Sequence, residues 1–166
     1  MLTELTIKDF ISKVISNDPV PGGGSVSALN GALAAALSAM VANLTVGRKK
    51  YVEVNDLMQE LSARFEKLSQ KLIEDVDRDS DAYNRVFAAF KLPKETDEEK
   101  QVRSEAIQRE TKYAAQVPME VARAVYEVLP QIDAIAQKGN SNAVTDACVS
   151  MMCARTAILG ALLNVR

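Results

Sequence analysis

Among the aspartates that alternate along one charged stretch of the chain, Asp77, Asp79 and Asp81 are not equivalent in position. The apolar residues around them, Val54, Leu57, Leu61, Phe65, Leu68, Leu72, Val76, Tyr83, Val86 and Phe90, recur at steps of three or four with one gap. That is the period of an amphipathic helix, and Asp79 fills the gap. At about 100° per residue, Asp79 falls within about 20° of the line through Leu72, Tyr83 and Phe90. Asp81 faces the opposite side, and Asp77 lies well off the stripe. A carboxylate on an apolar face loses hydration, which favours its neutral form unless a cation or several donors hold it charged. General acids and bases are tuned in this way. A structural acid paired with an arginine or lysine of a neighbouring helix would occupy the same position.

Two glycine-containing turns lead into helical segments. In Pro21-Gly22-Gly23-Gly24-Ser25 the residues Gly22, Gly23 and Gly24 allow close approach of a ligand to the backbone. With Ser25 they offer free amides and the positive end of a helix dipole to an anion or a carbonyl oxygen. A Pro-Gly turn with a serine cap would look the same. Lys138-Gly139-Asn140-Ser141-Asn142 repeats the device, with Asn140 and Asn142 as caps, and Asp146 follows within two turns. Asp146 shares a face with Val149 and Cys153, away from the stripe through Val144, Met151, Ile158 and Leu162. It reads equally as a buried functional acid and as a helix-dipole acid. Arg48-Lys49-Lys50-Tyr51 closes an apolar helix with positive charge, which suits either a solvated helix end or a dock for a polycarboxylate.

Other chemistry is excluded by what is missing. The chain has no histidine, so a Ser-His-Asp triad, a histidine-assisted cysteine nucleophile and a usual zinc site are absent. It has neither a Walker loop nor a dinucleotide fingerprint. Acid-base work falls to Asp, Glu, Lys or Tyr. Twenty basic and twenty-two acidic residues leave a net charge of -2, which argues against a general nucleic-acid binder. Cys148 and Cys153, five apart on a helix, are poorly placed to bridge, and no export signal is visible. A reducing, cytoplasmic setting is the expectation. The charge-free stretch between Asp18 and Arg48 is broken by the Pro-Gly run and rich in Ala, Ser and Asn, so a core helix is expected there and not a membrane span.

The elements that must position these residues are all helical. With 166 residues, one domain is expected. A short helix opens at Thr6, with Asp9 completing the cap, and ends near Asn17 at Pro19. A small-residue helix runs from the glycine loop to about Val46; Gly31, Ala32, Ala35, Ala36 and Ala39 place it centrally or at a subunit interface. The long charged helix spans about Val52 to Phe90. Thr96-Asp97-Glu98-Glu99 is a capping box for a further helix, which Pro118 and Pro130 kink or divide before Gly139. A last helix starts near Asn140 to Asn142 and continues to the final residue. The fold class is therefore all-α: an antiparallel helical bundle with one long amphipathic helix and an Ala-rich central helix.

Taken in order, Pro21-Gly22-Gly23-Gly24-Ser25, Val41-Ala42-Asn43-Leu44-Thr45 with Gly47 to Tyr51, Asp79 four before Tyr83, and Phe90-Lys91-Leu92-Pro93 resemble the formiminotetrahydrofolate cyclodeaminase and methenyltetrahydrofolate cyclohydrolase family. Gly139-Asn140-Ser141-Asn142 with Asp146, and the closing Gly160-Ala161-Leu162-Leu163-Asn164-Val165, extend the likeness along the chain. The resemblance implies an all-helical domain that forms homodimers and acts on the one-carbon unit between N5 and N10 of tetrahydrofolate, with no metal or redox cofactor. Members usually carry a further helical segment after Asn164-Val165, so the chain resembles a C-terminally shortened member. On this resemblance Asp79 is the acid-base group or stabilises the cationic carbon, and Asp146 is its partner or a pterin contact. Gly22, Gly23, Gly24 and Ser25 hold the ligand, Lys49 and Lys50 with Tyr51 receive the glutamate tail, and Asn140 and Asn142 belong to the substrate site. The competing class is a non-catalytic helical self-association module, which explains the Ala-rich segment but not an acid on an apolar stripe beside two glycine-rich helix starts.

Overall fold

The caps read from the sequence set two helix starts. The computed structural model describes residues 1–165, and in it Thr6 Oγ1 accepts the Asp9 amide at 3.1 Å, opening α1 (Ile7–Ile15). The Thr96–Glu99 capping box opens α4 (Asp97–Tyr126). Between them lie α2 (Gly23–Asn43) and α3 (Asn55–Phe90); α5 (Leu129–Lys138) and α6 (Val144–Leu163) complete the chain. Short 3-10 turns cover Leu2–Glu4, Lys49–Val54 and Ser141–Ala143, and no strand occurs among the described residues.

Helices α2, α3, α4 and α6 form a bundle in which α2 packs on both α3 and α6, and α4 closes the far side. The small residues of α2 make this possible. A Cβ on Gly31 would lie 3.0 Å from Val125 Cγ2 and 3.1 Å from Leu72 Cδ1, so α3 and α4 both reach the α2 backbone there. On the other side Ser38 and Ser150 share a buried hydrogen bond of 2.8 Å, and Ser150 Oγ donates to the Ala34 carbonyl at 2.7 Å. The larger core side chains, Met58, Phe65, Leu72, Val121, Val125, Ile132 and Ile135, fill the space that these close approaches enclose.

Several boundaries differ from the sequence expectation, each for a local reason. The glycine run is the first turn of α2 and not a loop before it, and α2 ends at Asn43 instead of Val46. The residues before Asn55 form the 3-10 turn, so α3 begins three residues later than expected. The apolar stripe of α3 holds as far as Val76, but Tyr83 and Phe90 are 43% and 51% exposed. With 36 residues α3 outruns the 21-residue α2 by about 22 Å. Its last third meets α4, which buries Ala82 and Ala89 instead. Pro118 is absorbed inside α4 without ending it, whereas Pro130 sits in the first turn of α5, where its missing N–H is harmless.

The stripe expected for α6 holds only in part: Met151 and Ile158 pack half-buried against the core, but Val144 and Leu162 do not. Ala147, Ser150, Ala154, Ala157 and Ala161 are buried, while Val144, Val149 and Leu162 are exposed. Close packing on α2 admits only small side chains, and the large ones turn outward. Asp146 is half-buried, so its face is less enclosed than Val149 and Cys153 suggested. The helix stops at Leu163; Arg166, to which it was expected to run, lies outside the described residues. Both α2 and the segment Ser141–Leu163 are long and apolar enough to cross a bilayer. The apolar surface of α2 lies mostly inside the bundle, and much of that of α6 does not.

Candidate active site

The first turn of α2 carries no side-chain cap, since its N-cap is Gly22. The first intrahelical bond there is from the Val26 amide to the Gly22 carbonyl at 3.1 Å, which leaves the amides of Gly23, Gly24 and Ser25 outside the helix ladder. The carboxyl group of Asp79, from α3, sits against this end. A Cβ on Gly24 would lie 2.5 Å from Asp79 Cγ, so only glycine lets the acid come so near. Ser25 Oγ donates to Asp79 Oδ2 at 3.0 Å, and the same hydroxyl is 3.0 Å from Ser80 Oγ. Ser25 is fully buried and Ser80 nearly so.

Opposing effects act on the Asp79 proton. Burial pushes the carboxyl above the ordinary carboxylate range, and this is the largest effect. The Ser25 hydroxyl and amide favour the charged form, while the negative charge of Asp75 one turn earlier opposes it, and the net direction is upward. Asp75 is itself buried, held by Lys71 and by Arg78 Nη1 at 3.0 Å. Arg78 reaches on to Glu120 Oε2 of α4 at 2.6 Å and to the Tyr113 hydroxyl at 3.3 Å. This ion network anchors α3 to α4 on the turn next to the candidate acid.

Asp79 opens onto a cleft of about 320 Å³, walled by Pro19 and Val20 before the glycines, Tyr83 and Val86 of α3, Thr111 of α4, and Asn164 beyond α6. This lies at the small end of ligand sites, which run from about 300 to 1,000 Å³. A larger, more open groove of about 870 Å³ runs along α2 and α3 past Ala36, Met40, Glu66 and Lys67, but Glu66 and Lys67 are exposed.

The structure brings Asp79, Gly22, Gly23, Gly24 and Ser25 together, and gathers the other expected residues elsewhere. Lys49, Lys50 and Tyr51 lie past the C-terminal end of α2, where the Tyr51 hydroxyl accepts the Ser141 amide at 2.9 Å and Lys50 Nζ donates to Ser141 Oγ at 3.3 Å. Asn140 caps the adjoining turn: its Oδ1 accepts the Asn142 amide at 3.1 Å and its Nδ2 donates to the Leu44 carbonyl at 3.0 Å. Asp146 follows in the first turn of α6. From Ser25 to Asn43 is about 27 Å along the helix. Asp146 therefore does not partner Asp79 within one chain, nor do Lys49 and Lys50 reach the cleft from their own subunit. The lysine end has chemistry of its own, because hydrogen bonds from Ser141, helped by Lys50, lower Tyr51 to a pKa of about 8.

The all-helical fold and the family that the sequence resemblance implies are also what comparison with known proteins finds. A family profile described as formiminotransferase-cyclodeaminase matches residues 6–166. The chain belongs to this family. Among its relatives is the methenyltetrahydrofolate cyclohydrolase of Methylorubrum extorquens, 41% identical over 160 residues that make up 96% of this chain and 77% of that protein. The formimidoyltransferase-cyclodeaminase of Rattus norvegicus is 35% identical over 99% of this chain, which spans only 30% of the rat protein. The crystal structure of formiminotetrahydrofolate cyclodeaminase from Thermotoga maritima superposes with a TM-score of 0.87 at 30% identity, covering 99% of this chain and 78% of that one.

Sequence reading missed several residues around the site. Ser80 adjoins Asp79 and was passed over because a serine among charged residues reads as solvent-facing. Asp75 lies one helical turn before Asp79, and that spacing was the available signal. Thr111 and Asn164 enter through tertiary packing, for which no local pattern exists.

Proposed function

We propose that this protein is a one-carbon folate enzyme, a methenyltetrahydrofolate cyclohydrolase or formiminotetrahydrofolate cyclodeaminase, with Asp79 as its acid-base residue. The observation that carries the proposal is the Asp79 carboxyl held above its ordinary range against uncapped helix amides. Both reactions pass through a tetrahedral carbon between two nitrogens. In the hydrolysis, water adds to the methenyl carbon and gives up one proton, N5 gains a proton and leaves as the amine, and the added hydroxyl releases its remaining proton to become the formyl oxygen. In the cyclisation, N10 attacks the formimino carbon and ammonia leaves after gaining a proton. A carboxyl whose hold on its proton is strengthened by burial can accept the first proton and return it to the leaving nitrogen. The amides of Gly23, Gly24 and Ser25 hold the ligand and the acid in register, and no metal or redox cofactor enters either step. The higher identity to the cyclohydrolase relative makes methenyl hydrolysis the first reaction to assay.

The support for a homodimer is the outer face of α2 and α6. Leu33, Met40, Val149, Met152, Leu159 and Leu163 are all exposed on it, Met152 by 68%. A second copy covers this face in our reading, with the protein in the cytoplasm and neither nucleic acid nor membrane as partner. A two-fold axis across these helices sets them antiparallel. It carries the Lys49, Lys50, Tyr51, Asn140, Asn142 and Asp146 end of one subunit toward the Asp79 cleft of the other. In that arrangement Lys49 and Lys50 can still take the glutamate tail and Asp146 can still face the ring system.

The test is to offer both folate substrates and follow the methenyl chromophore's rise or loss in wild type and in Asp79→Asn. Loss of more than about a hundredfold is expected. A variant within about tenfold of wild type, a barrier change under ~1.4 kcal/mol, would remove Asp79 from the chemistry. Thermal-shift titration with folinic acid separates the enzyme from a self-association module, since a ligand of the folded state raises its melting temperature.

A further inference from the structure

The hydroxyl groups of Ser25 and Ser80 form a short chain that ends on Asp79. Ser25 Oγ stands 3.0 Å from Asp79 Oδ2 and 3.0 Å from Ser80 Oγ, between an acid and a second hydroxyl. Ser25 has no solvent contact and Ser80 is 6% exposed, so water does not substitute for either partner. The pairing is between helices: Ser25 lies in the first turn of α2, and Ser80 and Asp79 are neighbours on α3.

A hydroxyl has one proton to give, and this fixes the direction of the chain in each charge state of the acid. When Asp79 is ionised it can only accept, so Ser25 donates to it and Ser80 must donate to Ser25. When Asp79 carries a proton it can donate to Ser25, which then turns its own hydrogen toward Ser80. The Ser80 hydrogen is free in that state to bond a carbonyl of the preceding turn, as helix serines commonly do. The Ser25 hydroxyl thus has a partner on each side in both states. With alanine in place of Ser80, a neutral Asp79 can still accept the Ser25 hydrogen on its carbonyl oxygen, whereas the ionised acid loses the polarising donor behind Ser25, so the loss falls more heavily on the ionised state.

We infer that Ser80 is a positioning residue of this site, acting through Ser25 to strengthen the hydrogen bond on which ionised Asp79 relies. The inference rests on the proposed acid-base role of Asp79 and extends it to a residue that does not line the cleft. Among the described residues, other groups facing Asp79 are few. On α3 they are Asp75, itself held by Lys71 and Arg78, and Tyr83 at the cleft wall. The α2 wall offers only glycine and serine, α4 presents the neutral Thr111, and beyond α6 the neutral Asn164 completes it. The serine pair is thus the uncharged control on this acid.

Loss of the Ser80 hydroxyl weakens the Ser25 donation by removing the polarising bond behind it. Asp79 then holds its proton to higher pH, by about 0.2–0.6 unit. The experiment compares Ser80→Ala, Ser80→Thr and Ser25→Ala with wild type in two readouts. One is the pH profile of kcat/KM; the other is a carbon-NMR titration of the Asp79 carboxyl, which needs no substrate. We expect the Asp79 limb and the NMR midpoint of Ser80→Ala to move upward together, Ser25→Ala to move them further, and Ser80→Thr to restore them, with KM little changed. Superimposable titrations for wild type and Ser80→Ala overturn the inference, as does a Ser80→Ala shift downward. Because Ser80→Thr adds a methyl group to a tight space, its melting temperature is measured, and if it fails to fold the Ser25→Ala and Ser80→Ala ordering decides alone. If wild type turns over neither folate, the proposed function fails while the NMR titration still tests the serine chain.

Discussion

The Asp79 carboxyl occupies the volume that a side chain on Gly24 would need: a Cβ there would stand 2.5 Å from Asp79 Cγ and closer still to one oxygen. Residue 24 is glycine because α3 delivers an acid to the backbone of α2 at this point. Helix propensity alone favours alanine over glycine by up to about 1 kcal/mol. If space were available, Gly24→Ala would raise stability. The collision predicts the reverse, a lower melting temperature together with a loss of turnover of about a hundredfold, since displacing a catalytic group by an ångström costs that much. A stabilised and active Gly24→Ala protein would show that the acid does not work from this position. Thermal melts and steady-state assays on the same sample decide it.

Placing Asp79 here has a stability consequence of known sign. Its folded carboxyl titrates above the ordinary value, so the folded state binds the proton more tightly than the unfolded chain does. The contribution of this group is complete below the ordinary carboxylate range and is lost as pH rises through the raised folded value. Above that raised value wild type carries a buried charge, which Asp79→Asn removes. The melting temperature of Asp79→Asn relative to wild type is therefore expected to be higher at about pH 8 than at about pH 3. The same difference at both pH values would mean that the carboxylate is adequately solvated where it stands.

Why the sequence disclosed Asp79 but not its neighbours follows from which signals are local. Asp79 interrupts a helical apolar period, and a period is visible in one dimension. Thr6 and Thr96 cap helices through residues three positions away, so those starts were legible too. The Ser80–Ser25 contact joins residues 55 apart in the chain, and nothing near either serine announces it. The misread of α6 has a different origin. Of its large apolar stripe only Met151 and Ile158 pack against the core, while alanines and Ser150 form the fully buried side because α2 approaches too closely for anything larger. Size complementarity between two helices is a property of the pair. The same cause separated the lysine end from the acid, since a linear reading gives no measure of how far apart the ends of one helix lie.

Gly31 offers a test of the bundle independent of function. Leu72 of α3, Val125 of α4 and Ala157 of α6 all come within 3.6 Å of the point where its Cβ would be. Gly31→Val would force apart three helices at once. Overpacking of a close-packed core costs about 1–3 kcal/mol, which outweighs the modest helix-propensity advantage over glycine. Chemical denaturation should show a lower midpoint with an unchanged slope. Ala88, exposed on the last third of α3, is the control, and Ala88→Val should change stability by no more than about 0.5 kcal/mol.

The separation of Asp79 from Asp146 along the bundle makes the subunit question testable by mixing. Each residue lies at its own end of a helix about 27 Å long, so a site that uses both must draw them from two chains. Asp79→Asn and Asp146→Asn homodimers would then each be inactive, with both of their sites broken. A dimer containing one chain of each kind would have one site carrying both lesions and one carrying neither. Denaturing and refolding the two variants in equal amounts yields half mixed dimers, and about a quarter of wild-type activity returns. If Asp79 and Asp146 serve the same chain, or if Asp146 has no part in the chemistry, no such recovery is possible: the mixture shows only the average of its two components. The interface enters through a second variant, Met152→Glu, which places a charge at the centre of the exposed α2–α6 face. Sedimentation should show it as a monomer, and the monomer, lacking the partner's end of the site, should be inactive while keeping its helical circular dichroism.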